Sequence, residues 1–213
     1  MARFQWDLCG GVIDMNVKQQ KQIKNFLIEE FGIDKGTILF EKQEIILDRL
    51  IENMSEKSEN QRKILIQTIL PRIALYKAML ENEFKLSNEN IYKCMQKYMM
   101  DVVAKQKHLS MVKMEKIPCF YSLYSKVFLK VVRTTDLWES TQKHGKDYFD
   151  VTMKKCLWHT VCVENGCEEL CRLFCDVDNV TYGGLKKLGF SRTKTLGYGG
   201  DCCDFHFYKK QMW

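Results

Sequence analysis

Apolar residues recur at three- and four-residue spacing through most of the chain and give way to alternation near its C-terminal end. That change of period predicts an α+β fold: a helical N-terminal two-thirds packed on a small antiparallel sheet formed mainly by C-terminal strands. Phe4 to Cys9 reads as a short strand or arm ended by Gly10-Gly11. Asn16 is then expected to cap a helix over Val17 to Phe31, with Ile23, Phe26, Leu27 and Phe31 on one face and Gly32 as its stop. A second helix is expected over Lys42 to Met54, carrying Ile45, Ile46, Arg49 and Leu50. The polar run Ser55 to Asn60 reads as a linker, which divides the chain into an N-terminal helical extension, 1–58, and a main domain, 59–213.

Beyond the linker, Arg62 to Glu83 predicts a helix with a broad apolar face, kinked or restarted at Pro71. Ser87 is placed as the N-cap of a helix reaching about His108, with Ile91, Met95, Met99 and Val102 inward. Pro118 breaks the chain, and Cys119 to Arg133 resumes as helix. Tyr148 to Lys154 alternates as a strand, with Tyr148, Asp150 and Thr152 opposite Phe149, Val151 and Met153. Cys156 to Val163 fits either helix or strand. Glu168 to Cys175 reads as helix. Phe190 to Leu196 and Cys202 to Tyr208 read as two strands joined by the glycine-rich loop Gly197 to Asp201.

Composition narrows the classes without choosing among them. Over 213 residues, 46% hydrophobic and 28% charged content suits a globular chain with a real core. No apolar run approaches the ~20 residues of a membrane-spanning helix. The start lacks a basic region followed by an apolar one, so a cytoplasmic protein with no membrane partner is expected. Ten cysteines are then expected as thiols. The net charge of +6, from 33 basic and 27 acidic residues, is spread along polar faces. It speaks against nucleic acid and is compatible with a small anionic substrate.

Candidate chemistry is concentrated between Cys171 and Phe207. Cys167, Cys171 and Cys175 line one helix face, as a buried thiol stripe or as a metal or redox cluster. Paired C-x-x-C knuckles are absent, so no metal site is assigned and no cofactor is expected. In the last strand Cys203, Phe205 and Phe207 should face the core, and Cys202, Asp204, His206 and Tyr208 the other side. A loop of three or five residues would put Arg192 and Lys194 on the face of Asp204 and His206. Such residues are either cross-strand charge pairs or a site in which Arg192 binds a carboxylate and Asp204 or His206 moves protons.

The segments FCDVD at Phe174 to Asp178 and RTKTLGYGGDCCDFHF at Arg192 to Phe207 resemble the L-2-amino-thiazoline-4-carboxylic acid hydrolase family. The helix around Leu70-Pro71-Arg-Ile-Ala-Leu-Tyr76 is similar to it too, so the resemblance spans roughly 61 to 207. Leu185 to Leu188 departs from it where a proline is expected, and His206 where arginine is commoner. The resemblance implies hydrolytic opening of a cyclic amidine to an N-carbamoyl amino acid, with a carboxylate-bearing small molecule as substrate. Cys175, Asp178 and Asp204 are the candidate catalytic residues: carboxylates as acid and base, Cys175 as nucleophile unless water attacks. Arg192, Thr193, Thr195, His206 and Asp176 are the candidate substrate-binding residues. The C-terminal pattern is also similar to 4-vinyl-reductase-type domains, which implies a non-catalytic module binding small molecules or metals. A thiol-based metal or redox sensor is a third reading.

Overall fold

A computed structural model describes residues 12–81 and 86–211. The expected strand or arm at Phe4 to Cys9 and the end of the helix expected at Glu83 lie outside the described residues. The chain forms two compact units, 1–94 and 95–213.

In the first unit, α1 (Val12–Phe31) and α2 (Ile33–Glu52) are separated only by Gly32. Its φ of 80° is a left-handed conformation that glycine adopts without strain. Asn16 lies inside α1 rather than at its cap. The second helix begins nine residues before the expected Lys42, because Gly36 permits a close approach to α1. A Cβ there would come within 2.6 Å of the Leu27 carbonyl oxygen. Its buried face is Leu39, Phe40, Gln43, Ile46 and Leu47, while Ile45 is exposed. Ser58 caps α3 (Glu59–Ile64) by accepting a hydrogen bond from Gln61 N–H at 3.1 Å. A π-helical turn, Leu65–Ile69, leads into α4 (Leu70–Leu80). Pro71 stands in the first turn of α4, where the wide turn before it accommodates the ring and the missing N–H. The fully buried Gln43 donates to the Pro71 carbonyl at 3.3 Å and to Gln20 Oε1 at 3.2 Å, tying α2 to α4 and α1.

The division between the units falls within α5 (Asn88–Lys97), whose first turn Ser87 caps through Asn90 N–H. In the second unit a π-helical stretch, Tyr98–Ala104, precedes α6 (Lys105–Met114). The residue it adds rotates the helix face, so Val103 and Ala104 are buried rather than the expected Val102. Next come α7 (Phe120–Thr134), β1 (Trp138–His144), β2 (Tyr148–Cys156), α8 (Leu157–Glu164) and α9 (Glu168–Tyr182). The chain then runs through β3 (Leu188–Ser191), a 3₁₀ turn (Leu196–Tyr198) and β4 (Cys203–Lys209). The four strands make one antiparallel sheet in the order β1-β2-β4-β3. The α+β expectation is met, with β1 added to the strands read from sequence. Among the described residues no helix is long and apolar enough to cross a membrane.

One face of this sheet carries Phe149, Val151, Met153, Phe190, Phe205 and Phe207, and α7 and α9 supply Tyr124, Phe128 and Tyr182 against it. Phe149 and Phe207 are cross-strand partners, both fully buried, stacked at 4.8 Å. The connection from α9 to β3 is held by Glu115, only 7% exposed, which accepts from the N–H groups of Lys186 (2.9 Å) and Lys187 (2.6 Å). Truncating Phe207 to Ala should cost about 3–5 kcal/mol. In urea unfolding the midpoint should fall with the slope unchanged; a loss under about 1 kcal/mol would show that this ring is not the centre of the core.

Candidate functional site

The helix expected to end at Cys175 continues two turns further, to Tyr182, and stops at Gly183-Gly184. Cys175, Asp176 and Asp178 are therefore mid-helix residues. Leu170, Leu173, Val177 and Thr181 form the buried stripe that carries the helix onward. Cys175 and Asp178, three apart, share a face one turn apart.

The other half of the site comes from the chain after β3. The strand ends at Ser191 because the N–H groups of Thr193 and Lys194 are taken by a side chain instead of a neighbouring strand. Asp204 Oδ1 accepts from Thr193 N–H (2.9 Å) and Lys194 N–H (2.8 Å), and its Oδ2 accepts from the Thr193 hydroxyl (2.5 Å). Partial burial pushes the Asp204 carboxyl up, but these hydrogen bonds outweigh it and hold it below the usual carboxylate range. Lys194 pairs with Asp201 at 2.5 Å. The 3₁₀ turn presents Tyr198, whose hydroxyl donates to Asp176 at 2.7 Å while Arg172 lies over its ring.

Arg192 departs from its expected place. Ser191 pairs with His206 and Phe190 with Phe207. That register is one residue away from the one expected, so Arg192 faces inward beside Phe190 and Phe205, opposite to Asp204 and His206. Its side chain is 8% exposed. The guanidinium donates to the Cys175 carbonyl at 2.7 Å, lies 3.8 Å from Asp176 and 3.7 Å from Asp178, and stands 5.9 Å from the Phe190 and Phe205 ring centres. Its Nη1 is buried without a hydrogen bond. His206 meets Asp150 instead, at 2.6 Å on the outer face of the sheet, between Tyr148 and Tyr208. Cys202 is a further correction. It precedes β4 and is 6% exposed, so it does not join a polar wall.

The structure thus gathers Cys175, Asp176, Asp178, Arg192 and Thr195, and separates Asp204, Thr193 and His206 from them. Around Cys175 the fold extends the thiol stripe expected on α9 with residues from the last hairpin, Cys203 and Thr195, that helical spacing could not disclose. Cys171 lies one turn below it on α9. Cys203, at the start of β4, accepts the Leu196 N–H at 3.3 Å beside Gly197, which lies against the Cys175 sulfur. The neighbouring Cys171 and Cys203 thiols favour its thiolate. These two thiols, opposed by burial and aided by Thr195 and Arg192, hold the Cys175 thiol well below its ordinary range. The Thr195 hydroxyl is itself buried and makes no well-aligned hydrogen bond. The partner thiols shift the opposite way: Cys203 is pushed up by its contact with Cys175 and by burial. Cys156 is raised to about 11, chiefly by burial. All nine cysteines among the described residues are thiols rather than disulfides, and no group of His, Cys, Asp or Glu there is arranged to hold a metal ion.

Asp178 is shifted up. Burial outweighs the opposing charges of Lys107 and Arg192 and raises its carboxyl from 3.8 to about 6, with Cys175 and Asp176 adding to the rise. Its side chain stays 30% exposed, which leaves the proton a route to solvent. The hydroxyl pair Tyr124–Tyr182 (2.8 Å), buried on the Tyr124 side, lies within its field. A separate cavity of about 350 Å³ lies between α7 and β1, lined by Val132, Arg133, Thr135, Trp138, Ser140 and Gln142, none of which belongs to this cluster.

Because the folded state holds the Asp178 proton more tightly than the unfolded chain, this group's stabilisation is complete below about pH 4 and lost as pH rises through about 6. Asp178→Asn should therefore gain stability relative to wild type by about 2 kcal/mol between pH 4 and pH 8, after allowance for exposure. Urea melts of both proteins across that range read the difference; a flat difference would show that the carboxyl titrates normally.

The family model of L-2-amino-thiazoline-4-carboxylic acid hydrolase matches residues 61–207, which include every residue of the cluster. No curated protein matches the chain. A crystal structure of an Fe(II) unliganded H-NOX protein from K. algicida aligns with 91% of this chain and 95% of its own at 8% identity, but its TM-score of 0.31 is too low to bear on fold or function. With the match covering well over half its length, the chain belongs to the L-2-amino-thiazoline-4-carboxylic acid hydrolase family.

Proposed function

We propose that this protein is a hydrolase that opens L-2-amino-thiazoline-4-carboxylate, or a related cyclic amidine bearing a carboxylate, to an N-carbamoyl amino acid. The observation that carries the reading is the Cys175 thiol. It lies inside the family match, is favoured as thiolate, and stands beside a buried cation and a carboxyl poised near neutrality. The domain that does this is placed at 59–213, with 1–58 as a helical extension.

In the proposed reaction the Cys175 sulfur attacks the ring carbon between nitrogen and sulfur. The ring carbon–sulfur bond breaks, and the departing thiolate takes the proton of Asp178. Water then adds to the same carbon and gives a proton to the Asp178 carboxylate. The bond to Cys175 breaks, the thiolate is restored, and the ureido product leaves. Arg192 Nη1 and the Thr195 hydroxyl, both buried without a good acceptor, are the donors a substrate carboxylate would satisfy. Asp176 orients Arg192 and is itself held by Tyr198. Thr193 and Asp204 serve by closing the loop that carries Arg192 and Thr195, and His206 has no part in the inner site.

Free-thiol release from the thiazoline measures this activity directly. Cys175→Ala should lower kcat by at least about 10³-fold and Asp178→Asn by about 10²-fold. Because Asp178 acts first as an acid, kcat/KM should fall as pH rises above about 6, and Asp178→Asn should abolish that fall. If wild type releases no thiol at any enzyme concentration, the chain lacks this activity. Full turnover by folded Cys175→Ala would instead leave water as the nucleophile.

A further inference from the structure

We infer that Cys175 and Cys203 form an oxidant-responsive thiol pair: a hydroperoxide oxidises Cys175, and Cys203 then closes a reversible disulfide with it. That the disulfide silences the enzyme rests on the reading of Cys175 as nucleophile; its formation does not.

Exposure sets the order of events. Cys175 is partly exposed, whereas Cys171 and Cys203 are 2% and 5% exposed, so a solvent oxidant meets Cys175 first. Cys203 Sγ accepts the Leu196 N–H at 3.3 Å, and Gly197, the next residue, lies against Cys175 Sγ, so the two sulfurs flank the same two residues. Gly197 lines this position. A Cβ there would come within 2.9 Å of the Cys175 sulfur and 3.1 Å of the Cys171 carbonyl, so only a glycine lets the loop lie so close.

Geometry also chooses the resolving thiol. Cys171 is one turn back on the same helix, and helix neighbours four apart hold their Cβ atoms about 5–6 Å from each other. A disulfide needs about 3.5–4.5 Å, so linking Cys171 to Cys175 would distort the helix. Cys203 belongs to a different segment, at the start of β4 next to a turn, and is not held to Cys175 by the fixed spacing of one helix. Its contact with Cys175 and burial raise the Cys203 thiol, and the Leu196 N–H donated to its sulfur opposes them, so its proton leaves only as it attacks the sulfenic sulfur.

The chemistry balances with a hydroperoxide as oxidant. The Cys175 thiolate attacks one peroxide oxygen, the O–O bond breaks, and the other oxygen leaves as alkoxide or hydroxide and is protonated. Sulfur has lost two electrons and become a sulfenic acid. Cys203 sulfur then attacks Cys175 sulfur; its proton and the sulfenic hydroxyl leave as water. The closed bond ties α9 to β4 and removes the nucleophile until a dithiol reduces it.

The test treats reduced, full-length protein with substoichiometric hydrogen peroxide, alkylates the remaining thiols, and maps peptides by mass spectrometry. The expected result is a Cys175–Cys203 link that dithiothreitol reverses, with Cys175 oxidised at least about 10-fold faster than the exposed Cys119. In Cys203→Ser, a dimedone-trappable sulfenic acid should accumulate at Cys175. A link to Cys171, no link, or oxidation of Cys175 no faster than Cys119 overturns the pair. If Cys203→Ser does not fold, the wild-type map decides alone. Turnover measured alongside keeps the two readings apart. A link that forms while Cys175→Ala remains active leaves the pair standing and removes the catalytic assignment. Absence of a link, with Cys175→Ala inactive, does the reverse.

Discussion

The second unit is organised by the need to compensate one buried cation. Taking the Arg192 guanidinium out of water costs several kcal/mol unless its charge and donors are answered. Asp176 and Asp178 supply charge, the Cys175 carbonyl accepts a hydrogen bond, and Phe190 and Phe205 offer their ring faces. Three of these five partners lie on α9 and two on the sheet, so satisfying Arg192 fixes helix and hairpin against each other. That juxtaposition sets the Thr195–Gly197 segment against α9, with Gly197 on the Cys175 sulfur and Leu196 on the Cys203 sulfur. The thiol network is thus a consequence of where the cation went.

Strand periodicity made part of this legible. Phe149, Val151 and Met153 on β2 alternate cleanly because a single face of the sheet is packed, and on β4 the inward direction of Cys203, Phe205 and Phe207 followed from the same pattern although Phe205 is only half-buried. The pairing between β3 and β4 was not legible. It depends on the connection, and the glycine-rich stretch does not disclose that Asp204 ends the ladder early by binding Thr193 and Lys194. A shift of one residue then exchanges the two faces of β3, which is why Arg192 joins the inner cluster, while His206 keeps its outer face and meets Asp150 across the β2–β4 pairing. The strand β1 escaped notice because Trp138 to His144 buries little on either side.

Helix boundaries failed for a related reason. Asp176 and Asp178 are poor helix formers and suggested an end at Cys175, yet Leu170, Leu173, Val177 and Thr181 keep helical spacing to Gly183-Gly184. Tertiary burial outweighed local preference. The apolar stripe, traced past the aspartates, would have given the true end. The π-helical turns at Leu65–Ile69 and Tyr98–Ala104 had no such signal, since a one-residue insertion in the hydrogen bonding leaves composition untouched and only rotates the helix face beyond it.

Two aspartates that looked equivalent in sequence have been driven apart by their surroundings. Asp204 accepts three hydrogen bonds near the surface and is held as a carboxylate, which suits a residue that shapes a loop. Asp178 receives no such donors, shares its field with the Tyr124–Tyr182 pair, and is pushed toward the pH at which a proton can be both given and taken. Environments that separate the pKa values of like groups are how a fold divides structural from acid–base work. In the proposed reaction the proton chemistry therefore belongs to α9. The last strand contributes Cys203 to the thiol network and leaves its charged residues to hold the loop and the outer face of the sheet.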